Sequence, residues 1–519
     1  MRRAALLALS LIPLAASPSR AQSAPTEAHA QEIQQQIRDW IVTSLGPDIK
    51  IASNLISVTA EGDHYAFAAP FGNGPDAPVA TAAATPSADG RWAIDNIRVP
   101  SPSRIHVDLP GKAPGTTTPS PSHLTTYALR IGQQSGQMML DPSFATPTTS
   151  TSTMQNLDMN TEDAPVAQRT HVDRASTSLV AQPAAPGRIN VAVQSSMEGY
   201  KLDSELPNAS GMFSLGMGQL TFASNMENVS RERLFEVVRA VGKLASLAPS
   251  QGSTPTEAQV AEAKALAAGL VPIVTDLTTG MTLDEKVDNI SFATGGTEGA
   301  LRTFKIGFGG RGNDGLLQAH LDLAAEGLTL PELGLGSKVG LIPTKVSLRP
   351  MLSGVPTDAV VKLLQTASEG GSPAPDDIAA LFARGNVVAG LDSLVIDVAG
   401  AEMLAQGKVT VTSPSDISGS GQVSMTNLDQ LQQRIAAEPE MASAVPAIIF
   451  LKGIGRVEQN RMLWDITYQA GHLLVNKQDM TMLMGGAGDQ PARPDATPQT
   501  APQQTPGVQE GHRTLRRRP

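Results

Sequence analysis

The 519-residue chain contains no cysteine. Disulfides, thiol catalysis and cysteine-ligated metals are therefore excluded, and so is a lipid anchor built on a cysteine after a leader. Aromatic residues make up only 3% of the chain, with three tryptophans and four tyrosines. Sugar-binding clefts and stacking platforms draw on such rings, so a carbohydrate-active role is disfavoured. A basic excess is missing too. The formal net charge is −10, whereas a nucleic-acid binder needs a basic face, so no nucleic-acid partner is expected. No apolar run reaches the ~20 residues of a spanning helix, and no transmembrane span is expected in the mature chain.

What is present starts with a leader. Arg2 and Arg3 precede the run Ala4–Ala16, which is apolar apart from Ser10 and Pro13. Ser19-Arg20-Ala21 then places small residues at −3 and −1 of a cleavage site, so residues 1–21 read as a secretory signal peptide and the mature chain as periplasmic or secreted. The length beyond the leader exceeds one ordinary core and predicts two or three units.

Apolar periodicity assigns the elements. Ile33, Ile37, Trp40, Ile41 and Leu45 share one helical face that Gly46-Pro47 ends. Strand-like runs follow at 50–59, 64–69, 91–99, 104–109 and 125–131, separated by Gly- and Asp-bearing turns. Pro110–Pro121 is compositionally loose. Asp141–Gln168, with its Thr/Ser run Thr146–Thr153, reads either as a loose segment or as polar edge strands.

From Arg188 onward the signal sharpens. Leu317, Ala319, Leu321 and Leu323 alternate with polar residues, and so do Met462, Trp464, Ile466 and Tyr468. This is the pattern of half-buried antiparallel strands. A strand–break–helix unit recurs three times: Leu220–Ser224 before 231–247, Lys345–Arg349 before 357–365, and Gln422–Thr426 before 428–437. Thr254-Pro255-Thr256-Glu257 fits a capping box, and Asn427 is placed to cap the helix carrying Leu428, Leu431 and Ile435. Leu234, Val237, Val238, Val241 and Leu244 form another apolar stripe.

The expected fold class is α+β, with large twisted antiparallel β-sheets and amphipathic helices packed on one face. The expected organisation after the leader is an N-terminal α+β unit at 31–131 and a polar variable segment at 132–187. A larger α+β unit at 188–484 and a disordered tail at 485–519, rich in Pro, Gln, Ala and Thr, complete it.

The leader, the long Gly-punctuated strands and the closing stretch Met462–Asn476 together resemble proteobacterial periplasmic proteins of the YdgA-like and AsmA-like kind. The resemblance covers about 188–480 and, in part, 33–131, and implies an envelope role such as lipid handling. It carries over no functional residue. Many members are membrane-tethered, which this chain is not expected to be.

Each chemical motif has a structural reading that fits better. Gly307-Phe-Gly309-Gly-Arg-Gly312 matches a dinucleotide fingerprint in letters, but Asn313-Asp314-Gly315 and an alternating strand follow it where a helix is required. A hairpin turn is expected there. The eight histidines, His29, His64, His106, His123, His171, His320, His472 and His512, include no pair at ligand spacing. Glu61-Gly-Asp63-His64 reads as a turn, and Asp284-Glu285 and Asp376-Asp377 as carboxylates near element starts. Asn208, Asn228 and Asn289 begin chance glycosylation triplets. The terminal arginines Arg513 and Arg516–Arg518 read as a solvated tail, and the Met-bearing runs, including Met138, Met212, Met217 and Met480, as core filling or as a pliable lipid groove.

No catalytic, cofactor-binding or metal residue is nominated, and no cofactor is implied. The expected function is that of a non-enzymatic exported envelope protein holding a lipid or other apolar ligand on a curved sheet. The alternative is a structural or protein-interaction module of the envelope, and a hydrolase assembled from scattered Asp, Glu and His is a third reading.

Overall fold

The computed structural model describes residues 24–45, 56–70, 78–109, 123–141, 146–162, 167–206, 211–247, 256–330, 340–368, 371–413 and 416–481. The leader, Thr254 and Pro255, Pro110–Pro121, Asn208 and the tail from 485 lie outside them.

The chain is α+β and is built on one open, twisted antiparallel sheet. The first strands are short: β1 (Ser57–Glu61), β2 (His64–Pro70), β3 (Val79–Pro86), β4 (Trp92–Arg98) and β5 (Ser103–Leu109). Long strands follow: β6 (His123–Asp141), β7 (Thr146–Thr161), β8 (Gln168–Ala185), β9 (Arg188–Glu205) and β10 (Met212–Ser230). Next come β11 (Gly280–Thr294), β12 (Thr297–Asn313), β13 (Leu316–Glu326), β14 (Lys345–Pro356), β15 (Val387–Val398), β16 (Ala401–Ser413) and β17 (Asp416–Met425). The ladder closes with β18 (Arg456–Glu458), β19 (Arg461–Gln469), β20 (His472–Val475) and β21 (Gln478–Asp479).

From β6 to β17 each strand pairs antiparallel with the next. β4 and β5 pair with different stretches of β6, and β19 continues the ladder beyond β17. The antiparallel sheet expected from the sequence is thus a single one. Its ladder runs unbroken through 132–187, where β7 and β8 lie. β7 is neither loose nor an edge, because β6 and β8 pair with it on both sides. Its Thr and Ser side chains suit a strand, and Met154, Leu157 and Met159 supply its apolar contacts. β3 has no counterpart among the expected strands, since its alanines give too weak an alternation.

The fingerprint glycines are also placed differently from expectation. Gly307–Gly312 is strand, inside β12, and the hairpin turn is Asp314-Gly315, with φ of 51° and 75°. Two successive positive φ values make the tight turn whose twist matches the strands, and Gly supplies one without steric cost.

The helices are α1 (Glu27–Leu45), α2 (Arg231–Ser246), α3 (Glu257–Thr275), α4 (Thr357–Ser368), α5 (Pro375–Ala380), α6 (Leu428–Ala437) and α7 (Val445–Ile454). α1 to α5 touch in sequence order, forming a row. Ser230 Oγ accepts from the Arg233 N–H and starts α2. The capping box of α3 lies two residues beyond the expected one: Thr256 Oγ1 accepts from the Gln259 N–H, and Gln259 Oε1 accepts from the Thr256 N–H at 2.9 Å. Asn427 precedes α6 but does not cap it. Its φ of 52° is left-handed and its Nδ2 donates to the Gly400 carbonyl. Asp377 caps α5 through the Ala374 N–H and pairs with Lys362 at 2.7 Å.

α1 covers the N-terminal strands. Ile33 and Ile37 join Val58, Tyr65, Phe67, Trp92, Ile94 and Leu140 in the largest core. His29 Nδ1 and the Tyr65 hydroxyl are 2.7 Å apart within it. α1 also shields the outer edge of β1: Gln34 Oε1 accepts from the Val58 N–H, and the Glu27 carboxylate from the Ala60 N–H. Occupying outward N–H groups in this way blunts a sheet edge.

A transverse seam crosses the long strands. Asn156, Gly199 and Asn289 hold left-handed φ values of 51°, 64° and 56°. Gly132 lies against Asn156, and Gly218 against Asn289. Strict alternation would put Met154 and Leu157 on opposite faces, yet they share one cluster. The left-handed residue swaps the parity, so one side of the sheet stays apolar along the whole strand.

Candidate functional site

Residues directly opposite in an antiparallel pair point to the same face. The registers therefore trace apolar rows across the sheet. One runs Val287, Phe304, Ala325, Val346, Ile396, Met403, Met425, Met462. A second runs Ile306, Leu323, Leu348, Leu394, Ala405, Val423, Trp464. A third runs Met281, Gly310, Ala319, Leu352, Ala389, Val409, Gly419, Tyr468. These rows contain Ala319, Leu323, Met462, Trp464 and Tyr468 of the alternating residues seen in the sequence.

Helices seal this face at its ends. α6 and α7 lay Leu428, Leu431, Ile435 and Ile448 against Trp464 and Val423. At the other side Leu234 of α2 packs with Ile189, Val191 and Met226. Between them, no helix among the described residues covers the centre. Phe304 is 36% exposed, Phe308 39%, Leu352 36%, Val409 42% and Ile417 37%, and all five lie on the apolar face. Large side chains at the middle of a sheet are ordinarily buried, so this is an unusual amount of open apolar surface. Glu285 is the acid of the same face. It sits half-buried opposite Phe222 and Ile306, inside β11 and away from the strand start where it was expected.

The other face is polar and carries ion pairs: Lys305–Asp284 at 3.3 Å, Arg349–Asp322, and Arg311–Glu227 at 2.7 Å. Here the fingerprint glycines have a packing role. A Cβ at Gly309 would lie 2.2 Å from the His320 ring, so glycine lets the imidazole lie over the neighbouring strand. His320 is half-buried on this face. His320, Arg311, Glu227 and Met351 wall a shallow cleft of about 360 Å³.

His171 is flanked by two carboxylates. Nδ1 lies 2.6 Å from Asp158 and Nε2 lies 3.0 Å from Asp173. Its pKa is raised, first by the bond to Asp158 and then by that to Asp173. With both nitrogens engaged, the ring has no free position from which to act as a base. Asp63 and His64 form the expected turn, with Asp63 fully exposed. Among the described residues, no group of three His, Asp or Glu is arranged to hold a metal ion. No helix among them is long and apolar enough to cross a membrane.

Comparison with protein-family models, curated proteins and solved structures finds no match. The apolar rows were legible as alternation in β13 and β19. The open centre was not, because alternation marks a face without saying what covers it.

Proposed function

We propose that this chain is a non-enzymatic, exported envelope protein that holds a lipid or another apolar ligand along the centre of its apolar sheet face. The observation that carries the reading is that Phe304, Phe308, Leu352, Val409 and Ile417 lie on one side of the sheet, spread from β12 to β17, each more than a third exposed. Acyl chains are linear and conform to a narrow strip of side chains that runs across the strands. Methionines at Met281, Met403 and Met425 add adaptable surface to the strip. Glu285 gives the same strip a polar point, suited to the hydroxyl or cationic end of an amphiphile.

Interaction through sheet edges is the other reading. It is weakened at β1, whose outward N–H groups are taken by α1.

The test is titration of delipidated protein with a fluorescent fatty-acid probe. Micromolar binding is expected, with Phe308→Ser weakening it about tenfold, equivalent to ~1.4 kcal/mol. Far-UV circular dichroism of the ligand-free variant should be unchanged. A probe that shows no change at micromolar protein removes the reading.

A further inference from the structure

A second apolar surface lies outside the sheet centre. α7 reads Val-Pro-Ala-Ile-Ile-Phe-Leu-Lys-Gly-Ile, with Lys452 its one charged residue. Its inner side is fixed. Val445, Ile448 and Ile454 pack on the cluster of Trp464 and Leu431. Trp464 Nε1 donates to the Leu451 carbonyl at 2.9 Å, and Asn476 Nδ2 to the Ile454 carbonyl at 2.8 Å. Its outer side presents three successive large residues, Ile449 (55% exposed), Phe450 (45%) and Leu451 (44%). Val457, three residues past the helix, is 71% exposed, and Met441 just before it is also exposed.

Charge and area identify what this surface suits. Lys452 is bonded to Asp429 and Gln432, and Arg456 pairs with Glu458 and with Asp465 at 3.1 Å. The neighbouring charges are satisfied within the chain, so the patch asks for no charged partner. Five partly exposed apolar side chains offer on the order of 500 Å², taking ~200 Å² for a large side chain. A stable protein interface needs about 800 Å² on each side. A neutral apolar tip of this size, held rigidly on a helix, instead suits shallow insertion into the headgroup–acyl boundary of a bilayer.

We propose that the outer side of α7 docks on a lipid bilayer surface. The inner side of the same helix seals one end of the apolar rows, so docking would bring a membrane next to the proposed ligand strip. That coupling rests on the function proposed above, whereas docking itself does not.

The experiment is flotation of the full chain with pure phosphatidylcholine vesicles. Co-flotation is expected, with at least a tenfold loss in the double variant Ile449→Ser/Phe450→Ser. Probe binding in solution should be retained by that variant, which separates docking from the sheet-face reading and shows that the variant is folded. Phe450→Trp should show a blue-shifted emission on adding vesicles. A native chain that stays at the bottom of the gradient, a double variant that floats equally well, or an unshifted emission overturns the proposal. So does a native dimer, seen by sedimentation, that the double variant abolishes.

Discussion

The two ends and the centre of one sheet face have the same residue pattern and different fates. Under α1, Ala84 and Leu140 are 0% exposed. Across the centre, Phe304 and Phe308 occupy equivalent inward positions and are more than a third exposed. The difference lies in the connections. α1 precedes β1 and folds over it, and α6 and α7 interrupt the chain before β19, whereas β11, β12 and β13 are joined to one another by tight turns that carry no helix, and α2 to α5 enter only before β11 and after β14. Cover is decided by where helices are inserted, and apolarity by the strands themselves. A strip that is apolar and uncovered is therefore available for something that is not part of the fold.

The comparison can be broken first at the covered end. Leu140→Ala should cost about 2–5 kcal/mol, because it leaves a closed cavity. Phe308→Ala removes more atoms yet should cost at most about half as much, since solvent already reaches the site. Urea denaturation of the two variants checks the order, and a larger loss at Phe308 would mean that the centre is sealed in solution.

The seam serves both regions and offers the next test. A Cβ at Gly218 would lie 3.0 Å from Asn289 Cβ. Gly218→Ala should cost about 1–3 kcal/mol through crowding in a packed ladder, while Gly90→Ala, where no atom lies near but φ is 81°, tests the strain of a positive φ alone.

The smallest expected effect concerns His171, on the polar side. Its folded pKa is raised above the usual value of 6.5. Its contribution to stability is therefore complete below about pH 6.5 and fades as pH rises through the raised value. The ring is partly exposed, so solvent screening keeps the contribution below about 1 kcal/mol. The stability gap between the native chain and His171→Ala should narrow between pH 6 and pH 9 in thermal melts, and a gap independent of pH would remove the assignment.

The α+β class, most strands and the helices after β10, β14 and β17 could be read from the sequence, because period-two and period-3.6 patterns are local. Three things could not. The Thr-rich β7 looks like an edge or a loop, since nothing in its composition records two pairing partners. The capping box of α3 was read two residues early, because Thr254 and Thr256 both precede an acceptor at the right spacing and only geometry chooses. Glu285 was placed near a strand start, because β11 begins five residues earlier, at Gly280, in a Thr/Gly/Met stretch with no strong strand signal. Of the candidate site, the apolar residues were visible and their openness was not, since it depends on which helices lie over them.

The ladder has one further consequence. Nearly all contacts of a strand are with its immediate neighbours, so the sheet is close to one-dimensional in its energetics. Stability in such an array is a sum of local pairings, and unfolding can proceed inward from either end. Length behaves as an adjustable quantity: adding or deleting one hairpin lengthens or shortens the apolar strip by a fixed step and leaves the remaining pairings in place. The number of central hairpins thus sets the length of the apolar strip.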